Sequence, residues 1–241
     1  MFTYTKKVFF LILIILLLSG CMYPKSELAQ NQVPNEAQME MVQSAVLQYQ
    51  EQTNGLLPIK TKPAETPIFE KYLIDFSLLR ERGILTEIPG SAFENGGYYQ
   101  YVIITPEEDP RVRVIDLRAT EALRQIVVKL DIYRSQNTYP PFGQELISGV
   151  HRVNEELLKL DSYPYVTSPY SQENLPIIMD TNGDLYIDYS IDLQKAINEF
   201  DHSFQPGDDI RMIIAENTPF VPAYSLPYTI DENGDVIFLK E

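Results

Sequence analysis

"DTNGDLYIDYS", residues 180–190, admits two readings, and the choice between them decides the fold class. Asp180, Asn182 and Asp184 fall on alternate positions, as the first three oxygen ligands of a calcium loop do. Such a loop also needs glycine at its sixth position for the sharp turn and a bidentate glutamate at its twelfth. Those positions hold Leu185 and Ile191. A hairpin reading meets no such exception. Asn182-Gly183 is the preferred dipeptide of a two-residue type I′ turn, in which both positions need positive φ. The apolar run Ile177-Ile178-Met179 precedes it, and Leu185, Ile187 and Tyr189 alternate with Tyr186 and Asp188 after it. That two-residue period marks a half-buried strand. Antiparallel pairing is expected here, and no metal site.

The stretch has a twin. "LPIIMDTNGD" (175–184) is echoed by "LPYTIDENGD" (226–235), identical at six of ten positions. "PYVTSPYS" (164–171) and "PFVPAYS" (219–225) form a second echo upstream. In "PGSAFENGGYYQYVII" (89–104), Asn95-Gly96 follows a proline at the same spacing. Each Asn-Gly leads into a strand-like run: Tyr98–Ile104, Leu185–Tyr189 and Val236–Leu239. A further strand is expected at Arg111–Asp116.

Helical periodicity precedes each hairpin signal. Asn35 can cap a helix with Gln38 in the capping-box position, Met39, Val42, Val46 and Tyr49 mark one face, and Gly55 supplies the stop. Thr120–Gln136 carries Leu123, Ile126, Val127, Leu130 and Tyr133 on one face, and Ser190–Asp201 carries Leu193, Ile197 and Phe200. Shorter helices are expected at Phe76–Arg82, Val150–Leu160 and Asp209–Glu216, the last also readable as a strand. The fold class is therefore α+β, built of tandem small modules of long helix, short helix and antiparallel β-hairpin. The modules span 36–118, 119–189 and a shorter 190–241.

The N-terminal end reads as an address. Lys6 and Lys7 precede the eleven-residue apolar run Val8–Leu18, followed by Leu18-Ser19-Gly20-Cys21. The run is too short for a bilayer-crossing helix, which takes about 20 apolar residues, and fits a cleaved export signal over residues 1–20. This segment resembles the signal and lipobox of bacterial lipoproteins. The resemblance implies diacylglycerol on the Cys21 thiol, cleavage before it and acylation of the new amino group. It also implies residence on the extracytoplasmic face of the cell membrane. Cys21 is the only cysteine of 241 residues, so intramolecular disulfides and a cysteine-based zinc cluster are excluded. Residues 21–35 then form a lipidated tether, polar, with two prolines and no periodicity.

Two further resemblances follow from the modules. "VLQYQEQTNGLLP", a helix and "GILTEIPGSAFENGGYYQY" resemble the globular part of type II secretion major pseudopilins. The pilin signal and long apolar N-terminal helix of that family are absent, so only the small α+β module carries over. The chain as a whole resembles lipoproteins of Gram-positive spore-forming bacteria, some of them labelled transporter binding proteins.

Charge and composition bound the function. Removing residues 1–20 takes away Lys6 and Lys7 and no acid, moving the formal charge from −15 to −17. Such a surface repels nucleic acid. Enzyme constellations are poorly represented: His151 and His202 have no His-x-x-x-His partner, there is no Gly-x-Ser-x-Gly, and Gly96-Gly97 opens a strand instead of a phosphate-binding helix. Among 34 acids, runs such as Glu107-Glu108-Asp109 or Asp208-Asp209 are expected by chance. No catalytic, metal or cofactor residue is assigned, and Cys21 is the single modification site. Tyr98, Tyr99, Tyr101, Tyr163, Tyr165 and Tyr170 cluster near turns, where tyrosine serves recognition surfaces or packs in strands. Two functions fit: an extracytoplasmic interaction or scaffold lipoprotein with an envelope protein partner, or the solute-binding lipoprotein subunit of an ABC-type transporter.

Overall fold

The computed structural model describes residues 33–239. The lipobox and Cys21 lie outside them, as does nearly all of the tether. The first helix, α1 (Glu36–Gln52), begins where Asn35 Oδ1 accepts the Gln38 amide at 2.9 Å. It ends through Asn54 and Gly55, both at positive φ, with the Gly55 amide donating to the Gln50 carbonyl at 2.9 Å. Val42, Ala45, Val46 and Tyr49 form its buried stripe. Gln43 adds a polar clamp, donating to the Pro110 carbonyl and accepting the Val112 amide, each at 2.8 Å. Its amide group thus occupies backbone groups that a strand edge would leave open.

Two short helices follow, α2 (Ile68–Lys71) and α3 (Phe76–Glu81), the latter capped by Asp75. The strands β1 (Tyr99–Ile104) and β2 (Arg111–Asp116) pair antiparallel from Tyr99↔Asp116 to Ile104↔Arg111. Asn95-Gly96 makes no hairpin. Phe93–Asn95 is a 3₁₀ turn, the Asn95 side chain donates to the Ile88 carbonyl at 2.9 Å, and the Tyr99 amide returns to the Ser91 carbonyl at 3.1 Å. The chain closes on itself so tightly that a Cβ on Gly97 would lie 2.1 Å from the Ser91 oxygen.

From β2 the chain passes directly into α4 (Leu117–Arg134), capped by Asp116, so this helix starts three residues earlier than its apolar stripe implies. Next come β3 (Phe142–Ile147), β4 (Val150–Val153), β5 (Tyr165–Thr167), β6 (Asn174–Asp180) and β7 (Leu185–Ile187). They form an antiparallel sheet in which β6 pairs with β4, β5 and β7. The helix expected at Val150–Leu160 is therefore wrong. Val150 and Val153 are buried in a strand that Gly149, at φ 84°, turns back from β3. Their three-residue spacing fits a helix equally well on paper. Asn154 then caps a single turn, accepting the Leu157 amide at 3.0 Å.

The β6–β7 hairpin forms, with a different turn from type I′. Only Gly183 has positive φ, at 85°, and its amide donates to the Asp180 carbonyl at 3.1 Å. This is a three-residue loop with a left-handed glycine at the bulge position. Asp180 Oδ1 accepts the amides of Asn182 and Asp184, both at 2.9 Å. The twin hairpin, β8 (Tyr228–Ile230) with β9 (Val236–Phe238), repeats this geometry: Gly234 has φ 85° and Asp231 Oδ1 accepts Asn233 and Asp235. Between the twins lie α5 (Ser190–Glu199) and α6 (Met212–Asn217), the latter three residues later than expected.

Three apolar clusters result. One gathers Leu123, Ile126 and Leu130 of α4, Leu175, Ile177 and Met179 of β6, Leu193 of α5, Ile213 and Ile214 of α6, and Tyr228. Residues of 119–189 and 190–241 thus share a core. The second packs α1 on α3 and the β1–β2 hairpin, and takes in Phe220. The third joins Phe69, Val102 and Ile115 to Ala215, Val221 and Ala223. Segment 218–224 stitches these together, with the Val114 amide donating to the Pro219 carbonyl at 2.9 Å and the Val221 amide to Val114 at 3.2 Å. Among the described residues no helix is long and apolar enough to cross a membrane.

Candidate functional site

The loop joining β5 to β6 is held by Ser168. Its Oγ accepts the amides of Tyr170 and Ser171, both at 3.0 Å, and donates to Asp192 Oδ2 at 2.6 Å. Gln172 closes the loop at φ 64°, its amide returning to the Ser168 carbonyl at 3.1 Å. Asp192 lies in the first turn of α5, and the next two turns extend the docking. Lys195 Nζ sits 4.9 Å from the centre of the Tyr170 ring, and the Tyr170 hydroxyl donates to Glu199 Oε2 at 2.8 Å. One helix face therefore latches the loop by three side chains at helical spacing.

Beneath the latch lies a cavity of about 20 Å³, walled by Ser168, Tyr170, Tyr189, Asp192, Phe220 and Tyr224. Asp192 is 1 % exposed, and its Oδ1 has no hydrogen-bond partner among the described residues. Burial holds its carboxyl above the usual range, against the opposing pull of the Ser168 and Ser171 hydroxyls and the Lys195 charge. Desolvation disfavours the charged form, so an unpartnered buried carboxylate is costly. Tyr189 is placed by its amide, which donates to the Tyr228 hydroxyl at 3.2 Å, while that hydroxyl donates to Asp188 at 2.9 Å. Tyr224 stands at φ 58°. Its amide donates to Glu70 Oε1 at 2.9 Å, its carbonyl accepts the Ile187 amide at 2.8 Å, and its hydroxyl accepts from Thr120 at 3.1 Å. A non-glycine residue in this region persists only where its surroundings over-determine it.

Outside the cavity, and sharing Ala119 and Val166–Pro169 as lining, runs a groove of about 320 Å³ bordered by Arg118, Tyr165 and Gln172. Arg118 is already engaged, at 2.5 Å from Asp116 Oδ2 and 3.0 Å from the Tyr99 hydroxyl. Burial and Asp116 push the Tyr99 hydroxyl up to about 12. The Ser168 hydroxyl is held as a clamp on the loop. The Ser168 proton is committed to Asp192 and its oxygen to two amides, and no histidine lines the cavity.

The residues singled out in the sequence are dispersed. His151 lies on β4, its ring 4.5 Å from that of Phe142, instead of at a helix start, and His202 lies by Phe204 at 5.8 Å. Asp109 pairs with Arg111, Asp209 pairs with Arg211, and Asp208 accepts the Gln205 amide. Among the tyrosines, Tyr99 and Tyr101 are core residues. The Tyr163 hydroxyl donates to the Ile177 carbonyl, Tyr98 and Tyr165 are exposed, and of those six turn-region tyrosines Tyr170 is the one that joins Tyr189 and Tyr224 at the cavity. Asp192 and Ser168 were missed. An aspartate in a helix's first turn reads as an ordinary helix-start residue, and only its place beside the buried Leu193 hints otherwise.

Residues 35–116 match the model of the YphF family N-terminal domain, a description that names no activity. The match opens at the Asn35 cap of α1 and closes at Asp116, the end of β2 and cap of α4. No curated protein and no solved structure matches the chain.

Proposed function

We propose that the chain is a lipoprotein anchored to the extracytoplasmic face of the cell membrane through acyl chains on Cys21. Its folded part serves as an interaction module for another envelope protein. The observation that carries the reading is Leu18-Ser19-Gly20-Cys21 directly after a short apolar run, with Cys21 the sole cysteine. More than one acyl chain on that residue meets the need for two signals in stable anchoring. The surface of α4 supports a partner-binding role: Val128 and Ile132 are 51 % and 58 % exposed, and Ile132 borders a groove with Leu157. Contiguous exposed apolar side chains mark contact sites. The alternative, the solute-binding subunit of an ABC-type transporter, draws support from the cavity at Asp192. Against it stands the pairing of the named strands, which is antiparallel throughout, where a bilobal receptor uses parallel sheets flanking a crevice.

The test is acylation in a Gram-positive host. Globomycin is expected to accumulate the precursor, and Cys21→Ser to abolish acyl labelling and release the protein from membranes. Wild-type protein whose Cys21 carries no lipid by mass spectrometry would remove the basis of the proposal. Crosslinking from Ile132 in intact cells then identifies the partner.

A further inference from the structure

We propose that the outer edge of β5, together with the groove beside α4, takes an extended segment of a partner protein as an added antiparallel strand. One apolar side chain of that segment sits over Ala119 and Ala122. The proposal deepens the interaction reading by naming the kind of partner, and rests on that reading only for where the partner resides. The edge belongs to the folded part whether or not Cys21 carries lipid.

Hydrogen-bond direction locates the edge. Ile178 pairs with Arg152 of β4 and with Tyr186 of β7, so those strands flank β6 on opposite sides. The Pro176 carbonyl accepts the Asp188 amide at 2.9 Å on the β7 side, and the Ile177 amide donates to the Pro164 carbonyl at 3.0 Å on the other. β5 therefore lies in line with β4 and continues it past the excursion of residues 154–163. β3 covers the outer edge of β4, from Val150 to Val153. It does not run on beside β5. Pro140 and Pro141 turn the chain away, and the Phe142 amide folds back onto the Pro140 carbonyl at 2.9 Å.

Alternation fixes which groups are open. Val166 stands opposite Leu175, and the Pro164 carbonyl and Ser168 amide also point at β6, the latter reaching the Glu173 carbonyl at 2.8 Å. Tyr165 and Thr167 face the other way. Their backbone N–H and C=O groups have no partner among the described residues, and both residues are exposed. Other edges of the molecule are treated differently. Gln43 occupies that of β2, and Gln194 occupies that of β9, accepting the Val236 amide at 2.9 Å and donating to the Gly234 carbonyl at 3.3 Å. Among the described residues no side chain does the same for β5. Open N–H and C=O groups two residues apart are the complement of an extended backbone; a helix has already paired its own.

The groove specifies the side chain. A residue placed opposite Val166 points to the same face as Val166. Val166 belongs to the core against which Ala119 and Ala122 pack, and these two small side chains border the groove of about 320 Å³ along β5. No carboxylate lines it, and Arg118 is engaged with Asp116 and Tyr99, so the space selects an apolar group such as isoleucine. Pro164 and Pro169 bracket the edge, which keeps the added strand short. In the antiparallel sense, the residues on either side of the apolar one satisfy Tyr165 and Thr167 completely. A second copy fits less well, because its own β5 would bring those prolines and α4 with it, whereas a free segment brings neither.

The probe is the peptide acetyl-Ser-Thr-Ile-Thr-Ser-amide, added to the full chain in detergent and followed by amide resonances and hydrogen exchange. In the protein alone, Tyr165 and Thr167 are expected to exchange rapidly while Val166 and Ser168 are protected. Saturable binding at millimolar peptide is expected to protect Tyr165 and Thr167, and the same peptide N-methylated on Thr-Ile-Thr to do neither. Thr167→Pro deletes an outward N–H and no bond to β6, so the fold is expected to persist and affinity to fall about tenfold. Should that variant not fold, Ala122→Met decides: it fills the groove from the α4 side and is expected to abolish binding while the thermal melt persists. Slow exchange at Tyr165 and Thr167 in the protein alone would show the edge already covered. That result, a dimer that protects the same amides, absence of saturable binding, or equal binding of the N-methylated peptide would each overturn the assignment. Loss of acylation at Cys21 would leave all of these readouts unchanged, so the two proposals fail separately.

Discussion

Gly183 and Gly234 hold the same φ of 85° in twin turns, yet their surroundings differ. A Cβ at Gly183 would meet Arg134 Nη1 and Pro140 Cγ, both at 3.2 Å, whereas at Gly234 nothing lies within 4 Å. Gly183→Val combines a β-branched residue at positive φ with a crowded approach, and an expected loss of about 1–3 kcal/mol follows. Gly234→Val bears the backbone strain alone, in a hairpin at the end of the described chain, and is expected to cost less; urea melts of both variants measure the order. The same turns bear on calcium affinity. Asp180 Oδ1 is turned onto two amides of its own loop, so calcium affinity is expected at millimolar or weaker, readable by calorimetry before and after Asp180→Ala. Asp192 yields a pH prediction. Its folded carboxyl is raised above the unfolded value of 3.8, so the native state binds the proton more tightly. Its contribution to stability is therefore largest below 3.8 and lost as pH rises through the folded value. Asp192→Asn removes that dependence, and its melting temperature relative to wild type is expected to climb from acid to neutral pH.

Elements that a local signal defines were legible in the sequence, and those chosen by competition were not. The cap at Asn35, the stripe Val42–Val46–Tyr49 and the stop at Gly55 all stand as read, because each acts within one or two helical turns. Asn35→Ala is expected to cost about 1 kcal/mol, measured as a drop in the urea midpoint of unfolding. The segment 150–160 illustrates the other case. Val150 and Val153 satisfy a helical stripe, but β6 offers Val150 a partner in Asp180 and His151 one in Met179, 28 or more residues away. Nothing within the segment reveals that partner, and tertiary pairing overrides local spacing. Asn95-Gly96 failed as a hairpin for a related reason: the dipeptide asks for positive φ, which a tight loop on Ser91 supplies as well as a β-turn does. The site was the least legible part, since Ser168, Asp192 and Tyr224 come from three separated segments, the first two meeting where α5 packs on the β5–β6 loop and Tyr224 being held there by Glu70, Ile187 and Thr120.

At the scale of the molecule, the boundary of the family match and the boundary of a stable fold differ. The match ends at Asp116, and within it α1, α3 and the β1–β2 hairpin look self-sufficient. Their cores are completed from far downstream. Phe220 enters one cluster, Ala215, Val221 and Ala223 enter another, and β2 gives the amide and carbonyl of Val114 to Pro219 and Val221. Burying a side chain the size of valine or phenylalanine is worth about 1.5–3 kcal/mol. A domain has only about 5–15 kcal/mol of net stability. Losing Phe220 and Val221 together, with two strand-edge backbone groups left unpaired, removes a large share of that margin. A fragment of residues 33–118 is therefore expected to melt broadly or to lack dispersed amide resonances, while the full chain unfolds in a sharper transition. Adding a peptide of residues 212–226 in trans is expected to sharpen the fragment's melt, since it restores the missing wall. A fragment that unfolds as cooperatively and at the same temperature as the full chain would show that segment 218–224 merely covers the N-terminal unit and does not complete it.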